Sequence, residues 1–94
     1  MAIKSYKDDL VEKLHRDGVA PRPWRAIAKV ALRKLDMIDA ANVIGDLSSP
    51  PGNRLEALKG DRKGQHSIRV NDQFRICFRW TRTGAEAVEI IDYH

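Results

Sequence analysis

Three consecutive residues, Asp92, Tyr93 and His94, are of types that transfer protons. Histidine has an ordinary pKa of about 6.5 and exchanges a proton near neutral pH, and a neighbouring carboxylate can orient its ring. The triplet follows the apolar residues 88–91, a predicted strand, so strict alternation puts Asp92 and His94 on one side and Tyr93 on the other. Acid–base chemistry is predicted where strand twist brings the three side chains together. The alternative is a frayed terminal histidine without a role.

A basic segment precedes that triplet. Residues 54–82 contain eight Lys and Arg against three Asp and Glu, in a chain of 94 residues with a net charge of +4. Arginine matters because its planar guanidinium donates two parallel hydrogen bonds to a phosphate. The segment therefore indicates a polyanionic partner, although many small basic proteins bind no nucleic acid. The eight residues are Arg54, Lys59, Arg62, Lys63, Arg69, Arg75, Arg79 and Arg82.

Two predicted strands must position these arginines. Apolar side chains alternate with polar ones along residues 66–70 and 74–80, the period-two pattern of strands with one buried face. If the apolar side chains are buried, Arg69, Arg75 and Arg79 share the opposite face. We expect that face to be open. The alternative is a solvated face whose charges discourage aggregation.

Helical periodicity comes before the strands. Apolar residues at helical spacing predict one helix over residues 8–16, ended by Gly18. A longer helix is predicted from Pro23 or Trp24 to about Asn42, because its apolar residues form a single stripe. Two antiparallel helices follow from the short connection between them.

A Ser-, Pro- and Gly-rich stretch, residues 48–53, separates the helices from the sheet. The order of elements predicts an α+β fold, with two N-terminal antiparallel helices packed on one face of a small, mainly antiparallel sheet. The length suits one domain over residues 1–94. Besides the two strands above, short strands are predicted at residues 3–6, 55–58 and 88–91.

Composition excludes several classes of protein. The only cysteine, Cys77, rules out a disulfide framework and a cysteine zinc site, and we expect it to be a small packing residue. His15 and His66 lack metal-ligand spacing, so neither a metal nor a cofactor is expected. No apolar run is long enough to span a bilayer, and charge comes too early at the N-terminus for a signal peptide. We therefore expect a soluble protein of a reducing compartment, without a membrane partner.

In combination, four stretches resemble HigB-type toxins, the plasmid-maintenance killer proteins of the RelE/ParE superfamily. They are residues 54–64, which include a Leu-Lys-Gly-Asp block, residues 67–71, residues 74–78 and the Asp-Tyr-His triplet. The resemblance covers essentially the whole chain. It implies a RelE-like fold and a toxin of a bacterial type II toxin–antitoxin system.

The resemblance also implies an activity. Such toxins enter the ribosomal A site, cleave the translated mRNA and inhibit translation, so a ribosome-dependent, metal-independent endoribonuclease of the bacterial cytoplasm is expected. The expected partners are the ribosome, mRNA and a HigA-type helix-turn-helix antitoxin, and operator DNA is contacted only through that antitoxin. One departure concerns Glu56-Ala57, which replace the His-Pro of well-known members and remove a candidate general base.

The resemblance assigns roles to individual residues. Lys59, Arg75, Asp92, Tyr93 and His94 match positions of the family's active site. On this basis Arg75 and Lys59 stabilise the phosphate. His94 transfers a proton and is oriented by Asp92, while Tyr93 stacks on a base or donates a proton.

Further candidates surround these residues. Glu56 is a candidate replacement for the missing base, and the candidate RNA-binding residues are Arg54, Lys63, Arg69 and Arg79. Two non-catalytic alternatives stay open on the same scaffold. One is a ParE-like gyrase poison, whose family generally lacks the Asp-Tyr-His triplet, and the other is a ribosome- or RNA-binding module.

Overall fold

A computed structural model describes residues 3–92. The predicted α+β class is confirmed, with the helices first and the sheet second. The helices are α1 (Asp9–Asp17) and α2 (Ala28–Ala40), and the strands are β1 (Glu56–Ala57), β2 (His66–Arg69), β3 (Phe74–Thr81) and β4 (Gly84–Asp92). Short 3₁₀ helices occur at Arg22–Ile27, Ile44–Ser48, Pro51–Asn53 and Gly60–Arg62.

Helix α1 is capped at both ends, and Gly18 ends it as predicted. The Asp8 side chain accepts a hydrogen bond from the Val11 N–H at 3.1 Å and so caps the N-terminus. Gly18 ends the helix with φ 72° and ψ 14°, in the left-handed region that glycine adopts without strain. Its N–H donates to the Leu14 carbonyl, which would otherwise lack a helical partner.

The second helix is shorter than predicted. The segment Arg22–Ile27 is a 3₁₀ helix, and α-helical structure covers only Ala28–Ala40. The Trp24 N–H donates to the Pro21 carbonyl, an i→i+3 bond of the tighter helix. Apolar residues three apart fit either helix type, so their spacing does not distinguish the two over so short a segment.

The strands form an antiparallel meander in the order β1-β2-β3-β4. Strand β1 is shorter than the predicted residues 55–58, and β4 is longer than the predicted residues 88–91. The β3–β4 register shifts between Cys77 and Arg79, where Ala87 of β4 has φ 52°. A β-bulge of this kind interrupts the alternation, which is why the first half of β4 has no strand pattern in the sequence.

The predicted first strand at residues 3–6 is wrong. This segment makes two isolated parallel bridges to β4, Ile3 with Ala85 and Tyr6 with Val88. It therefore borders the sheet without extending the ladder.

The core lies between the helices and one face of the sheet, as predicted. One polar residue interrupts the apolar stripe of α2: Lys34 is only 5% exposed. None of the helices within residues 3–92 is long and apolar enough to cross a membrane. Fully buried core residues include Val11 and Leu14 from α1, Ala31, Leu35 and Ile38 from α2, and Ile68, Ile76, Phe78 and Val88 from the sheet.

A candidate phosphate-binding site on the basic face

The sheet face turned away from the helices carries three arginines, Arg69, Arg75 and Arg79, and is called the basic face below. Arg69 and Arg75 are direct cross-strand partners, which places their Cβ atoms about 5 Å apart on one side of the ladder. Like charges in such a pair repel, and an ion pair with Asp72 offsets the charge of Arg69. The shared face agrees with the alternation in the sequence.

The sequence predicts that Arg75 lies on an open face, but the structure buries its side chain. Its exposed fraction is 8%. Its Nε donates to the Ser67 Oγ at 2.8 Å, and its Nη2 donates to the Arg54 carbonyl at 2.7 Å. A buried guanidinium is tolerated only when such bonds replace those to water. Because two of its nitrogens are held by different parts of the chain, the plane of the guanidinium is fixed.

The middle of the basic face is covered as well. Glu56, Ser67, Cys77 and Glu89 form one row across the four strands, and Ser67 and Cys77 are fully buried. Arg62 reaches this row from its 3₁₀ helix and donates to the Glu89 Oε2 at 3.1 Å. Burial raises the pKa of the Cys77 thiol to about 11, so the thiol is neutral at pH 7 and packs as a small apolar group.

A cleft of about 390 Å³ opens at the β1 edge of this face. It is lined by Glu56, Ala57, Leu58, Lys59 and Arg62. The cleft brings together Glu56, the candidate base, and Lys59, a candidate phosphate ligand, and both are exposed. Its two cations can bind an anion while its carboxylate can accept a proton.

Two contributors to this site were not identified from the sequence. Ser67 has the same strand phase as Arg69, which signals its face, but its bond to Arg75 depends on the register between β2 and β3. Arg62 lies in a short 3₁₀ helix, where no periodicity indicates its direction. Its hydrogen bond to Glu89 raises the pKa of Arg62, so this side chain remains a cation at the edge of the cleft.

The remaining candidate RNA-binding residues lie around this centre. Arg54 has a left-handed backbone, with φ 46° and ψ 54°. The guanidinium of Arg79 lies beside Gly64, and Lys63 caps the C-terminal end of the helix Gly60–Arg62. All three basic residues are exposed, so they can contact a long anion that occupies the basic face.

Of the Asp-Tyr-His triplet, the structure describes only Asp92. Asp92 lies opposite Phe74, next to the Arg75–Ile91 pair, and Gln73 Nε2 donates to its Oδ2 at 3.0 Å. Phe74 packs in the core, so alternation directs Asp92 and Arg75 to opposite sides at the same end of the sheet. Tyr93 and His94, the other two predicted site residues here, lie outside the described residues.

The other two histidines are engaged away from the basic face. His15 Nδ1 lies 2.6 Å from the Tyr6 Oη, and its Nε2 lies 3.1 Å from Asp36 Oδ1. His66 stacks on Phe78, with ring centroids 6.4 Å apart. Across residues 3–92, no three His, Cys, Asp or Glu side chains are grouped so that they could hold a metal ion.

Comparison with known proteins decides the family. Residues 4–94 match the sequence model of HigB-like toxins, the RelE-like toxins of the type II toxin–antitoxin system HigB. The chain belongs to the HigB-like toxin family. A type II toxin is paired with an antitoxin, so an antitoxin is a partner of this HigB-like toxin.

Individual relatives support the same family. This toxin is 45% identical over 81 residues to Toxin HigB-1 of Vibrio cholerae, which covers 85% of this chain and 84% of that protein. It is 36% identical over 93 residues to Endoribonuclease HigB of Proteus vulgaris, which covers 98% and 99%. The solved YoeB/ParE toxin from Agrobacterium tumefaciens has 19% identity, a TM-score of 0.54 and complete coverage of both chains, which confirms the RelE-like fold.

Proposed function

We propose that this HigB-like toxin is a ribosome-dependent endoribonuclease that cleaves translated mRNA in the A site, without a metal ion, and so inhibits translation. The observation that carries the proposal is Arg75, a guanidinium fixed by Ser67 and by the Arg54 carbonyl on a face with further cations. A cation held in advance stabilises an anion whose charge grows in the transition state. The Proteus vulgaris relative, which bears the name Endoribonuclease HigB, supports the same activity.

Cleavage of RNA without a metal ion needs a base, an acid and cations, and the candidate side chains provide all three kinds of group. The ribose 2′-hydroxyl attacks the adjacent phosphorus, and the bond from phosphorus to the 5′-oxygen breaks. A base removes the hydroxyl proton and an acid protonates the leaving 5′-oxygen, while cations hold the charge on the other phosphate oxygens. Arg75 and Lys59 are these cations in our proposal. The products are a 2′,3′-cyclic phosphate and a 5′-hydroxyl end.

The proton-transfer groups are Glu56 and the terminal triplet. Glu56 replaces the missing family histidine as base, and its place in the cleft beside Lys59 supports that role. His94 transfers a proton and is oriented by Asp92, whereas Tyr93 stacks on a base of the mRNA or donates a proton. Because alternation directs Asp92 and Arg75 to opposite sides, the proposal requires strand twist to bring these groups to one phosphate. This set lacks the pair of histidines of a self-sufficient ribonuclease, so the ribosome contributes by ordering the mRNA.

The remaining partners follow from the same proposal. Arg54, Lys63, Arg69 and Arg79 bind RNA phosphates, and their exposure or position on the basic face supports this. A HigA-type helix-turn-helix antitoxin neutralises the toxin in the bacterial cytoplasm and carries the contacts to operator DNA.

The test uses purified toxin and ribosomes that hold a defined mRNA with a known A-site codon. We expect new 5′-hydroxyl ends at that codon, and much slower cleavage of the same mRNA when it is free. Arg75→Ala should abolish cleavage while its circular dichroism stays native. Arg25→Ala, an exposed arginine on the helical side, is the matched control and should cleave normally. Slow cleavage of free RNA should persist in EDTA.

Two results would replace this proposal by another. Intact mRNA together with DNA breaks after induction in cells would identify a gyrase poison. Stable binding to ribosomes without new 5′ ends would identify a binding module. Full cleavage by Arg75→Ala would refute the role of the basic face even if the toxin proved to be a nuclease.

A further inference from the structure

Helix α2 buries a lysine that no part of the proposed mechanism uses. Lys34 is 5% exposed and is one of the buried residues of the helix, with Ala31, Leu35 and Ile38. Burial lowers the pKa of Lys34, and repulsion from Arg33 and Arg69 adds to this effect. A leucine or methionine would fill this place without the cost of removing a cation from water. The contacts of Lys34 must therefore explain why a lysine occupies this buried position.

Its contact is Asn53, a fully buried residue at the end of the helix Pro51–Asn53. Lys34 Nζ donates to the Asn53 Oδ1. The Asn53 Nδ2 donates to two backbone carbonyls, those of Leu47 at 3.1 Å and Ser49 at 3.3 Å. One amide side chain thus ties the segment between Leu47 and Asn53 to α2.

The next residue along the chain reaches the basic face. The Arg54 N–H donates to the Pro51 carbonyl at 3.1 Å, and its backbone is left-handed, which is unusual for a residue other than glycine. Its carbonyl accepts the hydrogen bond from Arg75 Nη2 at 2.7 Å. Arg54 directly follows Asn53, so the position of its carbonyl depends on how firmly Asn53 and the helix Pro51–Asn53 are held.

We propose that Lys34 and Asn53 are positioning residues that set the orientation of the Arg75 guanidinium through the Arg54 carbonyl. This role rests on the ribonuclease function proposed above, in which Arg75 binds the scissile phosphate. Both residues are buried, so they do not contact RNA themselves. They act on the arginine by fixing one acceptor that holds it, the Arg54 carbonyl, while Ser67 provides another.

The decisive variant is Lys34→Met, which keeps the length of the side chain and removes its hydrogen-bond donor. Misplacement of a catalytic group lowers kcat more than it changes binding, so we expect kcat per folded molecule on programmed ribosomes to fall about 10- to 100-fold at a similar KM. Lys34→Arg keeps a donor and should recover most of the rate. Lys29→Met, an exposed lysine of the same helix, is the matched control and should leave the rate unchanged.

A double-mutant cycle asks whether the lysine acts through Arg75. In an Arg75→Lys background the fixed guanidinium is already lost, so Lys34→Met should lower kcat little further. Equal losses in both backgrounds would overturn the proposal. So would a Lys34→Met protein that melts at a lower temperature yet keeps the kcat of the wild type in its folded fraction, because that result describes a purely structural residue.

A second readout does not depend on activity. In protein with ¹⁵N-labelled arginine, the Arg75 Nε–H signal is identified by its loss in Arg75→Lys. We expect its hydrogen exchange to be at least about tenfold faster in Lys34→Met than in the wild type, and unchanged in Lys29→Met. Unchanged exchange in Lys34→Met would overturn the positioning role whether or not the toxin cleaves mRNA. Altered exchange in a toxin that cleaves no mRNA would instead refute the proposed function alone.

Lys34→Met could fail to fold, and Asn53→Asp then provides the same test. Asp keeps an acceptor for Lys34 but cannot donate to the carbonyls of Leu47 and Ser49. The segment before Arg54 is then released while the buried lysine keeps a partner. Faster exchange at Arg75 Nε and a lower kcat are expected again, and wild-type values for both would contradict the proposal.

Discussion

At the scale of single residues, Arg75 shows what a buried cation requires. Two of its hydrogen-bond acceptors are a side-chain hydroxyl on β2 and a backbone carbonyl before β1. Neither of these two acceptors carries a charge, so the two hydrogen bonds hold the guanidinium in place without neutralising it themselves. Fixed geometry and a positive charge are the properties that a transition-state ligand needs.

The hydroxyl of Ser67 can be tested on its own. Ser67→Ala leaves the buried Arg75 Nε without this acceptor, which should cost about 1–3 kcal/mol of unfolding free energy. We also expect cleavage by the folded protein to slow about tenfold, because the guanidinium then lacks the hydrogen bond that fixes its Nε. Urea unfolding and single-turnover cleavage on ribosomes measure the two effects.

Ser48→Ala is the control for this substitution. Its hydroxyl donates to the Gly45 carbonyl in an exposed turn, so its removal should change stability by less than about 0.5 kcal/mol and leave cleavage unchanged. If Ser67→Ala behaved like Ser48→Ala, the hydrogen bond to Arg75 would have no measurable function.

The buried thiol of Cys77 should make the stability of the protein depend on pH. The ordinary pKa of its thiol is 9.0, and burial raises the pKa of Cys77 to about 11. Below pH 9 the thiol is protonated in both the folded and the unfolded chain, so it does not make the unfolding free energy depend on pH. Between pH 9 and pH 11 the unfolded chain loses the proton while the folded chain keeps it, so this residue lowers the stability as pH rises.

Comparison with Cys77→Ala isolates that effect, because the other titrating groups are common to both proteins. The unfolding free energy of the wild type minus that of Cys77→Ala should fall by about 2 kcal/mol between pH 8 and pH 11. Urea titrations at several pH values provide the measurement. A difference that stays constant with pH would mean that water reaches the thiol in the folded protein.

The sequence could predict the side of each strand residue but not its burial. Alternation correctly put Arg75 and Cys77 opposite the core. Their burial comes from Arg62, which crosses to Glu89, and from the Arg54 carbonyl, and the directions of both depend on tertiary structure. The burial of Lys34 could not be predicted either, because its partner Asn53 lies in a segment whose path no periodicity describes.

At the scale of elements, the errors lie where the backbone departs from a regular period. The helix Arg22–Ile27 has three residues per turn, and the bulge at Ala87 shifts β4 by one residue. The first departure leaves an apolar spacing that fits either helix type, and the second interrupts the alternation of β4. The C-terminal end of α1 was predictable because it depends on local chemistry at Gly18.

Three glycines allow a graded test of the loops. A Cβ at Gly52 or Gly18 would meet nothing within 4 Å, but Gly18 has φ 72°. A Cβ at Gly64, with φ 93°, would also lie 2.6 Å from the Arg79 Nη1. We expect Gly52→Ala to be nearly neutral, and Gly18→Ala and Gly64→Ala each to lose about 1–2 kcal/mol of unfolding free energy through backbone strain.

Only Gly64→Ala should also weaken RNA binding. The end of a flexible arginine moves away at little cost, so the clash displaces Arg79 without adding much to the loss of stability. Thermal unfolding and binding of a short RNA, compared across the three variants, separate strain from displacement. Equal RNA affinity in Gly18→Ala and Gly64→Ala would show that the position of Arg79 beside Gly64 has no role in binding.

At the scale of the whole molecule, charge is divided between two sides. The helical side bears exposed charges such as Arg25 and Lys29 around α2, whereas the basic face has cations next to a cleft and a fixed arginine. The net charge of +4 indicates a polyanion but not the surface that meets it. If RNA binds to the basic face, each cation on that face contributes more to RNA affinity than an exposed cation on the helices does.

Salt dependence measures that inequality. Each cation that contacts a single-stranded phosphate adds about −0.7 to the slope of log K against log salt. The six proposed contacts therefore predict a slope of about −4.2; they are Arg54, Lys59, Lys63, Arg69, Arg75 and Arg79. A 2′-deoxy oligonucleotide suits the titration because it cannot be cleaved by 2′-hydroxyl attack.

Arg79→Ala should make that slope shallower by about 0.7 and weaken binding at low salt, while Arg25→Ala should change neither. Both substitutions remove one exposed positive charge, so a difference between them reflects position and not net charge. Equal effects of the two would mean that RNA responds only to the overall charge of the molecule, and that the basic face is not its binding surface.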